Sequence, residues 1–126
     1  MAEDDKGVRD YLVSVLREAG YRVLEARDGV EAVEVFVDHL ETISLVVCDG
    51  VMPTMGGQEA VAMIRHGGRR VPAIFISGYT GRSSALQTET LRDTLFLEKP
   101  VKRRVLLQAV RSLLDGRDGV NPSMSP

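Results

Sequence analysis

The sequence predicts an alternating α/β domain built on a parallel sheet, with helices against both faces. Three observations lead there. Strand-like runs alternate with stretches of helical apolar spacing, the connections between them are short turns, and two of the runs are almost continuously apolar. Those two, Ile43 to Asp49 and Pro72 to Ser77, read as strands covered on both faces. A chain of 126 residues, 44% hydrophobic and 27% charged, suits one domain with a single core.

Taken in order, Val8, Leu12, Val15, Leu16 and Ala19 mark a first helix, with Asp4 or Asp5 as its N-cap and Gly20 at its C-terminal end. Tyr21 to Ala26 is a short strand candidate, and Arg27-Asp28-Gly29 is turn chemistry. Val30, Val33, Phe36, Val37 and Leu40 give the apolar side of a second helix, ahead of the strand that ends in Asp49. After a loop containing Pro53, Gly56 and Gly57, a third helix turns Val61 and Ile64 inward and stops at Gly67-Gly68. The strand to Ser77 follows, then a loop from Gly78 to Ser84 and a weakly periodic fourth helix from Ala85 to about Leu91. Thr94 to Glu98 is the last strand, broken by Lys99-Pro100. Val101 to Leu114 is the final helix, with Val105, Leu106, Ala109, Val110 and Leu113 inward. The domain is expected to span residues 1–115, and 116–126, rich in Gly, Pro, Ser and Asp, to be a flexible tail.

The formal net charge of −2 gives no general basic field, so nucleic acid is not an expected partner. No apolar run approaches the length of a membrane span, and the start Met-Ala-Glu-Asp-Asp is acidic, unlike a signal peptide. A cytoplasmic setting with no membrane contact is therefore expected. The single cysteine, Cys48, has no internal disulfide partner and reads as a small buried hydrophobe.

In a parallel sheet, ligand sites form beyond the carboxyl ends of the strands. Asp49, Ser77 and Lys99 each fall at such an end, and Glu3-Asp4-Asp5 joins the same rim if a strand precedes it. Each has an ordinary reading: an acid that ends a strand, a Ser-Gly turn, a loop lysine, a solvated helix start. Together they make a chemical set. Glu3, Asp4 and Asp49 repel one another unless a cation offsets them, and hard oxygen donors suit Mg2+, with Mn2+ as a substitute. Asp49 could then act as a carboxylate nucleophile toward a phosphoryl group, with Lys99 and Ser77 donating to its oxygens.

The ordered motifs are the acid pair Glu3-Asp4 with Val8-Arg9, Asp49 followed by Met52-Pro53 and Met55-Gly56-Gly57, then Ser77-Gly78-Tyr79-Thr80 and Phe96-Leu97-Glu98-Lys99-Pro100. With these the chain resembles the receiver domains of two-component response regulators, over residues 1 to about 115. The wording of the last two motifs is similar to receivers at the C-terminus of hybrid histidine kinases. The resemblance implies a flavodoxin-like sheet of order 2-1-3-4-5 flanked by five helices. It implies that Asp49 accepts a phosphoryl group from a histidine kinase or phosphotransfer protein. Asp4, Asp49 and the Val51 carbonyl would hold Mg2+, with Glu3 acting through water. Ser77 and Phe96 would be switch residues, Lys99 would pair with the acyl phosphate, and the Lys99-Pro100 bond would be cis. The switching surface would be the fourth helix, the last strand and the last helix. Such a domain is not a conventional enzyme, although it supports its own phosphotransfer and autodephosphorylation.

The chain departs from the family pattern in places. Glu3 stands where Asp is commoner, and Gly50 where a larger apolar residue is usual. Only Met1-Ala2 precede the acid pair, so the central first strand is expected to be largely missing. Three arrangements would answer this: Met1 internal to a longer strand, a shortened chain, or a homodimer that swaps a strand. Two other functions compete. One is an interaction module of the same fold that is not phosphorylated. The other is a flavodoxin-like or phosphatase-type enzyme, disfavoured because there is no Gly-rich phosphate loop and Val51 occupies the place of a second acid. His39 and His66 read as surface residues.

Overall fold

The computed structural model describes residues 1–52, 54–67, 70–77 and 93–116. Along them run α1 (Lys6–Glu18), α2 (Gly29–Asp38), β1 (Val46–Asp49), α3 (Gly57–His66), β2 (Ala73–Ser77), β3 (Thr94–Glu98) and α4 (Arg103–Gly116). The loop expected at 78–84, the helix expected at 85–91 and the tail from residue 117 lie outside the described residues, as do Pro53 and Gly68.

Local chemistry sets the helix starts. Asp5 caps α1 by accepting from the Val8 amide at 3.0 Å. Asp28 caps α2 through the Glu31 amide at 2.8 Å, and Glu31 reaches back to accept from the Arg27 amide at 2.6 Å. This is the reciprocal pattern of a capping box, shifted one residue outward. Gly20, with φ at +99°, ends the first helical segment in a conformation that disfavours a side chain.

β1, β2 and β3 form a parallel sheet in that order, with Cys48 opposite Phe75 and Phe75 opposite Phe96. Side chains alternate between two layers of core. Val46, Cys48, Ala73 and Phe75 pack on the layer that holds Phe36, Val61 and Ile64. Val47, Ile74 and Ile76 pack on the other, with Leu12, Leu16, Leu106 and Val110. Burial pushes the Cys48 thiol up to about 12, which suits a small core residue and not a reactive thiol.

The sheet is extended by very little chain. Ala2 forms parallel bridges to Ala26 on one side and Cys48 on the other. The order across the molecule is thus Ala26, Ala2, β1, β2, β3, the expected 2-1-3-4-5 arrangement. The first strand is reduced to a single bridge position at Ala2, in keeping with the expectation that it is largely missing. The strand expected at Tyr21–Ala26 is a correction: only Ala26 is bridged, because its partner segment is too short to support a ladder.

Other expectations shift as well. Val30, Val37 and Leu40 on the α2 side and Val105 on α4 are exposed, not inward, with Val37 61% accessible. The last helix begins at Arg103 and runs to Gly116, two residues later at each end than the apolar spacing implied. Val61, Ile64, Leu106, Ala109 and Val110 are buried as expected, and His39 and His66 are exposed.

Candidate functional site

The C-terminal rim of the sheet gathers the expected groups. β1 delivers Asp49, whose carboxylate is almost fully buried. Its Oδ1 accepts from the Val51 amide at 3.0 Å, and its Oδ2 accepts from Lys99 Nζ at 2.9 Å. Lys99 follows β3, its peptide bond to Pro100 is cis, and its amide donates to the Ser77 carbonyl at 2.8 Å. The last residues of β2 and the Lys99 loop are thereby tied together beside Asp49. Ser77 ends β2, one residue beyond Ile76, which pairs with Asp49.

The acid pair arrives from the other side. The Glu3 carboxylate is wholly buried, with Oε2 accepting from the Asp5 amide at 3.0 Å and Oε1 lying 3.4 Å from Lys99 Nζ. That second oxygen has no hydrogen-bond partner among the described residues. Asp4 is exposed at the mouth. One carboxylate oxygen from each of Glu3, Asp4 and Asp49 falls within 4.8 Å of the others. A buried carboxylate oxygen without a hydrogen bond, beside two further carboxylates, is a hard-oxygen donor set that fits a divalent cation such as Mg2+.

The close packing around Asp49 explains a glycine in the sequence. A Cβ on Gly57 would overlap the Asp49 carbonyl oxygen and stand 2.8 Å from Cys48 Cβ. Only glycine lets the first turn of α3 rest against the end of β1.

Electrostatics bear on Glu3 and Lys99. Burial, followed by the neighbouring Asp49 charge, pushes Glu3 from its ordinary 4.5 up to about 7, against the opposing pull of the Asp5 amide and Lys99. Lys99 is desolvated, but its hydrogen bond and charge contact with Asp49, helped by Glu3, outweigh that and raise its pKa. The Glu3 shift has a stability consequence. Between about pH 4.5 and about 7 the unfolded chain releases a proton that the folded chain keeps. The contribution is full below that window and lost as pH rises through about 7. Thermal melts in metal-free buffer should show the wild type losing stability across the window relative to Glu3→Gln. Parallel curves for the two proteins would remove Glu3 as the cause.

Two contacts were not anticipated. Arg9, noted only as part of a motif, donates from a guanidinium nitrogen to the Glu3 carbonyl at 2.8 Å and pins the acid pair to α1. The Val51 amide holds Asp49, whereas the expectation concerned the Val51 carbonyl. A backbone amide two residues past an acid is an Asx-type contact that the Asp-Gly sequence itself suggested. Phe96 is 42% accessible and stacks on Phe75, ring centroids 5.5 Å apart and planes at 29°.

Comparison with known proteins shows what the chain is similar to. The model of the response regulator receiver domain family matches residues 1–111. The response regulator receiver protein CpdR of Brucella abortus is 32% identical over 114 residues, covering 90% of this chain and 93% of that protein. The CAI-1 autoinducer sensor kinase/phosphatase CqsS of Vibrio cholerae is 36% identical over 117 residues, which is 87% of this chain but only 16% of that kinase's length. Among solved structures, the receiver domain of the hybrid histidine kinase CckA superposes with a TM-score of 0.76 at 34% identity, covering 90% of this chain and 94% of that one. With most of its length matched in sequence and in fold, the chain belongs to the response regulator receiver domain family.

Proposed function

We propose that this receiver domain takes a phosphoryl group onto Asp49 from the phosphohistidine of a histidine kinase or phosphotransfer protein. The observation that carries the reading is a carboxylate at a strand end, held by Lys99 at 2.9 Å and crowded by two further acids within 4.8 Å. In the transfer, an Asp49 oxygen forms a bond to phosphorus as the bond from phosphorus to the donor imidazole nitrogen breaks. The imidazole leaves with that electron pair. Lys99 and the Val51 amide fix the carboxylate beforehand, so little reorganisation remains. Glu3, Asp4 and Asp49, with the Val51 carbonyl, would hold Mg2+, which when bound offsets the negative charge of the cluster and of the phosphoryl oxygens.

Once the phosphoryl group is in place, Lys99 shifts from Asp49 to a phosphoryl oxygen and the Ser77 hydroxyl donates to another. Because the Lys99 amide is bonded to the Ser77 carbonyl, both groups move as one rim. Phe96, half-exposed in the present state, takes a more buried position, and the last strand and last helix carry the change to a partner. The non-phosphorylated interaction module has less support, since the short Met1–Glu3 segment still delivers the acid pair to Asp49.

Incubation with Mg2+ and a small acyl phosphodonor, followed by intact mass, tests the reading. One phosphoryl increment is expected, absent with a chelator and removed by hydroxylamine. An adduct that survives hydroxylamine, or none at all, would sink it.

A further inference from the structure

The acid pair is also held from outside the rim, by two arginines of α1 and a glutamate between them. On the Ala26 side the ladder runs from the Ala26 amide to the Met1 carbonyl at 2.9 Å, then from the Glu3 amide to the Ala26 carbonyl at 3.1 Å. The alternation of a parallel pair would next bring the Asp28 amide to the Glu3 carbonyl. The chain has already left the sheet there, because Asp28 is the N-cap of α2. Among the described residues, no backbone amide reaches the Glu3 carbonyl. The Arg9 guanidinium takes that place, at 2.8 Å.

Arg9 is itself braced. Its side chain is 11% accessible, and its Nε lies 3.6 Å from Glu25 Oε1. The other Glu25 oxygen lies 3.5 Å from Arg17 Nη2, which donates to the Val23 carbonyl at 2.9 Å. The carbonyl that Arg9 bonds belongs to the peptide joining Glu3 to Asp4, so its orientation sets where both carboxylates begin. From that peptide Glu3 places a buried oxygen without a hydrogen bond beside Asp49 and Lys99, and Asp4 stands exposed at the mouth. By charge alone, a guanidinium near three acids weakens their pull on a further cation. Held geometry acts the other way, since carboxylates already in place need no ordering when the ion arrives.

We infer that Arg9, braced by Glu25, is a positioning residue of the cation site, fixing the Glu3-Asp4 peptide so that its two carboxylates converge with Asp49. The inference rests on the proposed binding of Mg2+ by those acids and adds the side chains that set its affinity. Neither Arg9 nor Glu25 belongs to the donor set, and both act through the backbone.

Titration of the 126-residue chain with MgCl2, followed by NMR at the Gly50 and Val51 amides, tests this alongside metal-free thermal melts. Arg9→Met should raise the Kd for Mg2+ about tenfold, the scale of loss when a group behind a metal ligand is removed. Arg9→Lys, which keeps the charge and a donor, should fall between that variant and the wild type. Glu25→Gln should raise Kd about threefold alone and add nothing in the Arg9→Met background, because it acts through Arg9. An unchanged or lower Kd for Arg9→Met, whatever its Tm, would make the contact a structural staple or a charge effect and overturn the inference. Should Arg9→Met fail to fold, an unchanged Kd in Glu25→Gln overturns it instead. A wild type that binds no Mg2+ removes the metal reading and this inference together, whereas a wild type and variants of equal Kd remove this inference alone.

Discussion

Asp49→Asn takes up no phosphoryl group from a small donor, and its melting temperature in metal-free buffer is equal to or above that of the wild type. The first half follows from chemistry: an amide is not a nucleophile toward phosphorus, and the neighbouring acids are not held as Asp49 is. Asp49 has both oxygens committed, to the Val51 amide and to Lys99, whereas Asp4 is exposed at the mouth. The second half follows from charge. Asn keeps an oxygen for the Val51 amide but removes one of the two carboxylates facing Lys99, so Glu3 loses a repulsive neighbour and its pKa falls back toward the ordinary range. Intact mass and a thermal melt on one preparation check both halves. A phosphoryl adduct retained by Asp49→Asn would move the acceptor elsewhere.

Lys99→Ala destabilises the metal-free protein by about 1–3 kcal/mol, and Mg2+ restores most of that loss. Among the described residues, Lys99 is the cation paired with both Glu3 and Asp49, at 3.4 Å and 2.9 Å. Its removal leaves two buried carboxylates facing each other, one of which already has an oxygen without a hydrogen bond. A divalent ion replaces that missing charge, so the variant should gain more Tm from Mg2+ than the wild type does. On the proposed function phosphoryl uptake also falls, because Lys99 holds the Asp49 carboxylate at 2.9 Å. If Mg2+ stabilises both proteins equally, the ammonium and the metal are not sharing this task.

Much of the rim was legible in the sequence because its signals are local. An acid ending an apolar run, a Lys-Pro break after the last strand and an Asp three residues ahead of Val8 each mark their place in the fold within a few residues. Burial on the helices was less legible because it depends on what the fold brings alongside. Val30, Val37 and Leu40 fit an apolar stripe by spacing, yet α2 buries only its Ala32 and Phe36 side. The Tyr21–Ala26 strand failed for a related reason, since strand character there needs a long partner and finds Met1–Glu3. Arg9 could not be placed from sequence at all, because its acceptor is a backbone carbonyl six residues earlier.

One side chain at the opposite end of the sheet has a mechanical consequence. Arg65 on α3 donates to the Val71 carbonyl at 2.8 and 3.0 Å, to the Asp93 carbonyl at 3.3 Å and to Thr94 Oγ1 at 3.3 Å. It thus clamps the entrances of β2 and β3 to the same helix. The exits of those strands, at Ser77 and Glu98, lie roughly 13 Å away along strands rising about 3.3 Å per residue. The base of the two strands is thus tied to α3, while Ser77 and Lys99 stand at or just beyond their opposite ends.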